Sequence, residues 1–289
     1  MSNALSRRGL HFAIEGNGPP VVLLMGIGGR MEFAAPVVRG LRDAHRVLAF
    51  EYPGIGRSTA APPDDLAGYV DSVCDLMSEC EFDAAHMVAI SFGVPLAISI
   101  AAAAPGGARS LALISGVAHA DTRFRRVARV LADAARAQEP AAFARLASVL
   151  LFPPGFDEGR AALLDAVERA ITPAPREMPA IERQAEIAMS VDVREALAVL
   201  AARRSPNAGA NAAREAIPAK IWVGDTDAFV SVTSAKALRA AIPSSALEIV
   251  AGAGHSLFAE RPREMFASVR AFLADAERGR AGEGETAKG

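Results

Sequence analysis

Ala89-Ile90-Ser91-Phe92-Gly93 is the stretch whose reading decides the fold. It overlaps His86-Met87-Val88-Ala89-Ile90, an apolar run of strand character, and precedes Val94-Pro95-Leu96-Ala97-Ile98-Ser99-Ile100-Ala101, an Ala-rich run of buried-helix character. A serine pinned between strand end and helix start sits on a sharp turn. That turn lifts the hydroxyl clear of the backbone and aims helix N–H groups at whatever the oxygen attacks. Backbones packed so closely demand small residues two before and two after the serine, here Ala89 and Gly93. An ordinary serine in a strand-to-helix loop fits the same five residues, so the assignment needs support from elsewhere.

Two segments supply it. Ala251-Gly252-Ala253-Gly254-His255-Ser256 follows the strand-like Leu247-Glu248-Ile249-Val250. A histidine on a glycine-rich loop after a strand is free to reach across a site. Trp222-Val223-Gly224-Asp225-Thr226-Asp227 ends the apolar run Lys220-Ile221-Trp222-Val223, where a carboxylate can orient an imidazole and stabilise its protonated form. The chain order is Ser, then Asp, then His, the order of the α/β-hydrolase fold and not of the other serine-hydrolase folds.

The chain resembles the α/β-hydrolase superfamily over nearly its whole length. Leu10 to Leu24 is similar to that family's opening hairpin and third strand. Met25-Gly26-Ile27-Gly28-Gly29 matches the loop where most members carry His-Gly, with Met25 in place of the histidine. Phe50-Glu51-Tyr52-Pro53-Gly54-Ile55-Gly56-Arg57-Ser58 resembles the family's Asp-x-Pro-Gly-x-Gly-x-Ser turn, with Glu51 for the usual Asp. Around Ser91 the usual pattern has glycine on both sides, so Ala89 departs from it. Gly254-His255 followed by Glu260-Arg261-Pro262 is close to the C-terminal signature.

Composition fits an enzyme of this kind. The 289 residues suffice for a sizeable core, and alanine supplies much of the 51% hydrophobic content. No run of strongly apolar residues is long enough to span a bilayer, and residues 1–9 lack the apolar segment of a signal peptide. A net charge of −2 without a large basic cluster argues against nucleic acid. A cytoplasmic location is the expectation. Cys74 and Cys80 share one helical segment at a spacing that suits neither zinc nor a redox pair. No His/Cys/Asp cluster has ligand spacing, so neither a metal nor another cofactor is expected.

Apolar runs near 21–25, 46–50, 86–90, 111–115, 219–223 and 246–250 read as strands of a parallel sheet covered on both faces. Helical stretches alternate with them, which predicts a doubly wound α/β fold around a mostly parallel, eight-stranded-type sheet. The alternation stops after Ile114 and resumes at Lys220. About a hundred residues lie between, too many for a bare loop. Apolar stripes at Phe124/Val127/Leu131/Ala134, Phe143/Leu146/Leu150, Leu163/Val167/Ala170 and Val193/Leu197/Leu200 predict helices there. Pro-rich breaks at 152–155 and 172–175 separate them. In the family, an insert at this point is a cap over the active site; a bundle packed away from the site is the competing arrangement. The expected division is 1–118 and 216–275 as the hydrolase core and 119–215 as a helical cap. The charged, Gly-rich residues 276–289 are expected to be a disordered tail.

A serine hydroxyl needs a base in contact to act as a nucleophile. By the resemblance, His255 takes the proton of Ser91 and Asp227 orients His255, with Asp225 the rival acid two residues earlier. The oxyanion hole falls to the backbone N–H groups of Ile27 and Phe92. Met25 adds apolar surface to the pocket floor, and His119, where the cap begins, is a further candidate to line it. His11 and His45 read as surface residues near strand edges. Members that open epoxides or displace halide use an aspartate nucleophile, and position 91 is serine. That favours acyl transfer to water, by ester, thioester or carbon–carbon bond hydrolysis. With cap helices rich in Ala, Leu, Val and Phe, the expected substrate is a small hydrophobic ester or thioester, free or carrier-bound, cleaved through an acyl-enzyme. A non-hydrolytic relative, eliminating or merely ligand-binding, is the alternative, left open by Ala89, Val94 and Met25.

Overall fold

The computed structural model describes residues 3–104, 106–202 and 217–286. Eight strands form one sheet in the order β1-β2-β4-β3-β5-β6-β7-β8. They are β1 (Asn3–Leu5), β2 (His11–Glu15), β3 (Pro20–Leu24), β4 (Arg46–Phe50), β5 (Ala85–Ile90), β6 (Ala108–Ile114), β7 (Ala219–Gly224) and β8 (Ala246–Val250). β1 and β2 pair antiparallel at one edge, and the strands from β4 to β8 run parallel. Continuous apolar runs such as Val21-Val22-Leu23-Leu24 are buried along their whole length because helices cover both faces. α1 (Met31–Leu41) and α11 (Pro262–Thr286) touch each other, as do α2 (Leu66–Glu79) and α3 (Gly93–Ala103). α9 (Val232–Ala241) packs on β7 and β8, and the short α10 (Leu257–Glu260) leads into α11.

The strand order reverses at β3. Its chain successor β4 lies on one side and β5 on the other, so a crevice opens beyond the carboxyl ends of β3 and β5. Leu24, the last residue of β3, pairs with Ala89. The loop after β3 and the turn after β5 therefore begin side by side.

The insert contains α4 (Thr122–Arg136), α5 (Pro140–Leu151), α6 (Ala161–Ile171), a 3₁₀ turn (Pro175–Glu177), α7 (Met178–Ser190) and α8 (Arg194–Ala202). α7 packs closely along α4, whereas α8 lies against α3 of the core. α6 has no buried residue, and Leu163 on it is 47% exposed. The last part of the expected cap, residues 203–216, lies outside the described residues. No helix among the described residues is long and apolar enough to cross a membrane.

Three expectations need correction. The edge hairpin is built from β1 and β2 and starts before Leu10, within the segment read only for a signal peptide. β1 covers the outer side of β2, so His11 is buried, its Nδ1 2.8 Å from Glu51 Oε2. His45 is buried too, edge-on to His86 with ring centroids 6.2 Å apart. Finally, residues 276–286 of the expected tail continue α11, and 287–289 lie outside the described residues. Ala276 is buried and Glu277 accepts a 2.6 Å hydrogen bond from His86 Nε2. Glu277 also pairs with Arg109 at 3.2 Å. These long-range anchors hold a segment whose charge and glycine content alone suggested otherwise.

That anchor has a pH signature. Burial lowers the His86 imidazole to about 4, against the opposing pull of Glu277; His45 and Arg109 nearby also disfavour its charge. The unfolded chain takes the proton at the ordinary histidine value, near 6.5, and the folded one resists until about 4. Stability from this site is complete above about 6.5 and declines as pH falls toward 4, by up to about 1.4 kcal/mol per unit. Denaturant unfolding at pH 7 and pH 4.5 should show a smaller acid loss for His86→Gln than for the wild type. Equal losses in the two proteins would contradict this role for His86.

Candidate active site

Ser91 closes the turn between β5 and α3 with φ at +54°, a left-handed conformation that is rare for a side chain other than glycine. The turn holds that geometry because α3 presses against the end of β3. A Cβ on Gly93 would stand 2.3 Å from Leu24 O, so only glycine permits the contact. On the other side, a Cβ on Gly26 would lie 3.3 Å from the Ser91 Cβ. Ala89 is fully buried in the sheet, and its methyl is accommodated.

His255 reaches the serine from the loop after β8, with Nε2 3.0 Å from Ser91 Oγ. Its Nδ1 lies 2.9 and 3.0 Å from the two carboxylate oxygens of Asp227. Asp227 Oδ1 also accepts the Phe229 and Val230 N–H groups at 2.7 and 2.9 Å, so this fully buried carboxylate is held on three sides. The rival Asp225 is turned elsewhere, accepting the Gly252 N–H at 2.7 Å. The structure thus brings Ser91, His255 and Asp227 together and leaves Asp225 to brace the histidine loop.

That loop is braced at several points. Glu260, which the sequence offered only as part of a signature, accepts the Gly254 and Ser256 N–H groups at 2.8 and 3.0 Å. Burial raises its pKa, and these two bonds oppose the rise. Leu151 O, at the end of α5, accepts from both His255 and Ser256 N at 3.1 Å, tying the insert to the histidine. The Phe229 ring lies 4.4 Å from the imidazole.

Ile27 and Phe92 both border the space in front of Ser91. Gly26 and Gly29 close a turn, Gly29 N donating to Gly26 O at 3.0 Å, and Gly28 has φ +66° as the third residue of a type II turn requires. The Gly28 N–H is engaged by Gln184 Oε1 at 2.8 Å, so it is the Ile27 N–H that remains for a ligand in this turn. Glu51, which replaces the usual aspartate, accepts the Met31 and Arg57 N–H groups at 3.0 and 2.7 Å and fixes the two chain segments that flank this region.

A cavity of about 500 Å³ opens over Ser91. Met25 lines it, as do Phe124 and Leu131 of α4, Phe143 and Leu151 of α5, Val167 and Ile171 of α6, and Ala188 of α7. His119 does not. It lies to the side, paired with Asp192 at 3.5 Å and approached by Arg125 Nη2 at the same distance. The isolated pairing of His119 with Asp192 draws it away from the cavity. Among the described residues no cluster of His, Cys, Asp and Glu is arranged to hold a metal.

The profile described as "alpha/beta hydrolase fold" matches residues 19–262. The chain belongs to the α/β-hydrolase fold family. It is similar to "Putative carbamate hydrolase RutD" of Azorhizobium caulinodans, 29% identical over 160 residues, or 55% of this chain and 60% of that protein. It is also similar to part of polyketide synthase ThaQ of Burkholderia thailandensis, 29% identical over 262 residues, covering 89% of this chain and 12% of that one. The chain thus matches 60% of the length of the first of these relatives and 12% of the second. Among solved structures, MGS-M2, an α/β-hydrolase enzyme from a Medee basin deep-sea metagenome library, superposes with a TM-score of 0.79. It is 17% identical, with 92% of this chain and 94% of that one covered, a likeness of fold.

The two aspartates should separate on activity. Asp227→Asn leaves the imidazole in the wrong tautomer and should cut kcat by about 10⁴. Asp225→Asn removes one brace of the loop and should cost less than tenfold, on the order of a single lost surface hydrogen bond. Steady-state kinetics of the two variants checks the ranking, and the reverse order would move the acid to Asp225.

Proposed function

We propose that this protein hydrolyses a carboxylic ester or thioester with a hydrophobic acyl group, using Ser91 as nucleophile, His255 as base and Asp227 as its orienting acid. The observation that carries this reading is the unbroken hydrogen-bonded line from Ser91 Oγ through the His255 ring to Asp227, at 3.0 and 2.9 Å, beneath an apolar cavity. His255 Nε2 takes the hydroxyl proton as Oγ attacks the acyl carbon. The carbonyl oxygen becomes an oxyanion, met by the Ile27 and Phe92 N–H groups. His255 then gives its proton to the leaving alcohol or thiol. Water repeats the sequence on the acyl-enzyme, and the serine returns to its starting form.

The insert acts as a lid in this reading. Helices α4 to α7 supply over a third of the cavity's lining residues, all of them apolar, so the acyl group is selected by burial. Similarity to a carbamate hydrolase and to a segment of a polyketide synthase supports attack on a carbonyl with a heteroatom leaving group, carrier-bound thioesters included.

A fluorophosphonate should attach to Ser91 in the wild type and fail to attach in Ser91→Ala, read by peptide mass spectrometry. Across p-nitrophenyl esters of increasing acyl length, kcat/KM should rise until the cavity is full. The expected step is about fourfold per CH2, from burial worth about 0.8 kcal/mol each. A matched p-nitrophenyl carbamate tests the RutD likeness directly. Undiminished turnover by Ser91→Ala would remove the serine from the mechanism. A flat or falling length series would remove the lid's part in selecting substrate.

A further inference from the structure

The Ile27 N–H belongs to the Gly26–Ile27 peptide, and every peptide around it is tied. The carbonyl of that same peptide, Gly26 O, accepts from Gly29 N at 3.0 Å. The preceding peptide is held at its carbonyl, Met25 O, by the Tyr52 hydroxyl at 2.9 Å. The following peptide is held at its nitrogen, Gly28 N, by Gln184 Oε1 at 2.8 Å. Tyr52 comes from the core, just after β4, and Gln184 from α7 of the insert.

We infer that Gln184 and Tyr52 are positioning residues that clamp the 26–29 turn from opposite sides and keep the Ile27 N–H aimed at the oxygen of a carbonyl attacked by Ser91. The inference rests on the hydrolase reading above and adds the residues that set its oxyanion geometry.

The burial of Gln184 supports it. The side chain is fully buried, and its amide also interacts with the Tyr69 phenol. Burying an amide costs stability that an apolar residue of similar size would not. Its bond to the turn is with the Gly28 N–H, and since that group is a donor, the oxygen and not the nitrogen must face it. Ile181, one turn earlier on α7, packs where a Gly28 Cβ would stand, at 3.4 Å, and Ala188, one turn later, lines the cavity. One face of α7 is therefore laid along the turn.

Tyr52 supports it from below. Its ring is fully buried, edge-on to Phe92 at 5.9 Å and to Tyr69 at 5.8 Å. Phe92 contributes the second proposed donor, so one aromatic cluster touches both halves of the hole. Burial holds the Tyr52 phenol well above its usual pKa, which keeps it an O–H donor to Met25 O across the working pH range.

The test compares an aryl ester with the thionoester of the same acid, in which C=S replaces C=O. Sulfur accepts hydrogen bonds weakly, so the thionoester draws little help from oxyanion donors. In Gln184→Met and in Tyr52→Phe, ester kcat should fall about tenfold with KM nearly unchanged, a fraction of the 10²–10³ lost when a donor is removed outright. Thionoester kcat should change less than about twofold, so the ratio of the two collapses. A ratio unchanged from wild type, or equal losses on both substrates, would overturn the clamp. Thermal melts report whether Gln184→Met folds. Should it not, Tyr52→Phe, which deletes a single oxygen, carries the comparison. Fluorophosphonate labelling separates the two levels of the claim. Wild type that fails to label overturns the Ser91 reading and the clamp together, whereas labelled wild type with an unchanged ratio overturns the clamp alone.

Discussion

The site depends on one backbone contact, that of Gly93 against the Leu24 carbonyl. A methyl group at position 93 would stand 2.3 Å from that oxygen, so the first turn of α3 lies on the end of β3 only because glycine is there. The contact brings the β5–α3 turn beside the β3 loop and drives Ser91 to positive φ. It also sets Phe92 and Ile27, from adjacent parallel strands, on two sides of one space. Backbone strain at a serine is retained when the surroundings over-determine it, and here sheet register, helix packing and the glycines at 26 and 93 all enforce the same conformation.

The rest of the machinery is long-range and arrives from separate parts of the chain. β7 delivers Asp227, and its carboxylate is fixed by two backbone N–H groups before it meets the imidazole. β8 delivers His255, and its loop is fixed by Glu260 from within and by Leu151 O from the insert. The insert is therefore more than a cover. It touches the histidine loop through α5 and the 26–29 turn after β3 through α7, so its packing bears on the geometry around Ser91 and His255 as well as on the size of the cavity.

Much of this was legible in the sequence because it is local. The elbow, the six apolar strand runs, and the Asp and His loops each announce themselves within a few residues, and their order along the chain fits one fold. What was hidden depends on partners far away in sequence. β1 is only three residues long, and without it His11 looks like an edge residue. The end of α11 is charged and contains Gly279, and the contacts of Glu277 with His86 and Arg109 come from strands far back in the chain. α7 escaped notice because Gln184 interrupts its apolar stripe of Met178, Ile181 and Ala185, and that interruption is the residue that reaches Gly28. A polar residue breaking a helical stripe was the available signal. His119 had the opposite fault: its position suggested the cavity, and Asp192 holds it outside.

The central claim is that Ser91, His255 and Asp227 work as one unit through a covalent acyl-serine. Rapid mixing with excess p-nitrophenyl butyrate, quenching in acid and weighing the intact protein tests it most directly. The account predicts a burst of nitrophenol of about one equivalent and an added butyryl mass that maps to Ser91, with both lost in His255→Ala. Steady turnover with no acyl adduct on Ser91 at any time, or an adduct on another residue, would contradict it.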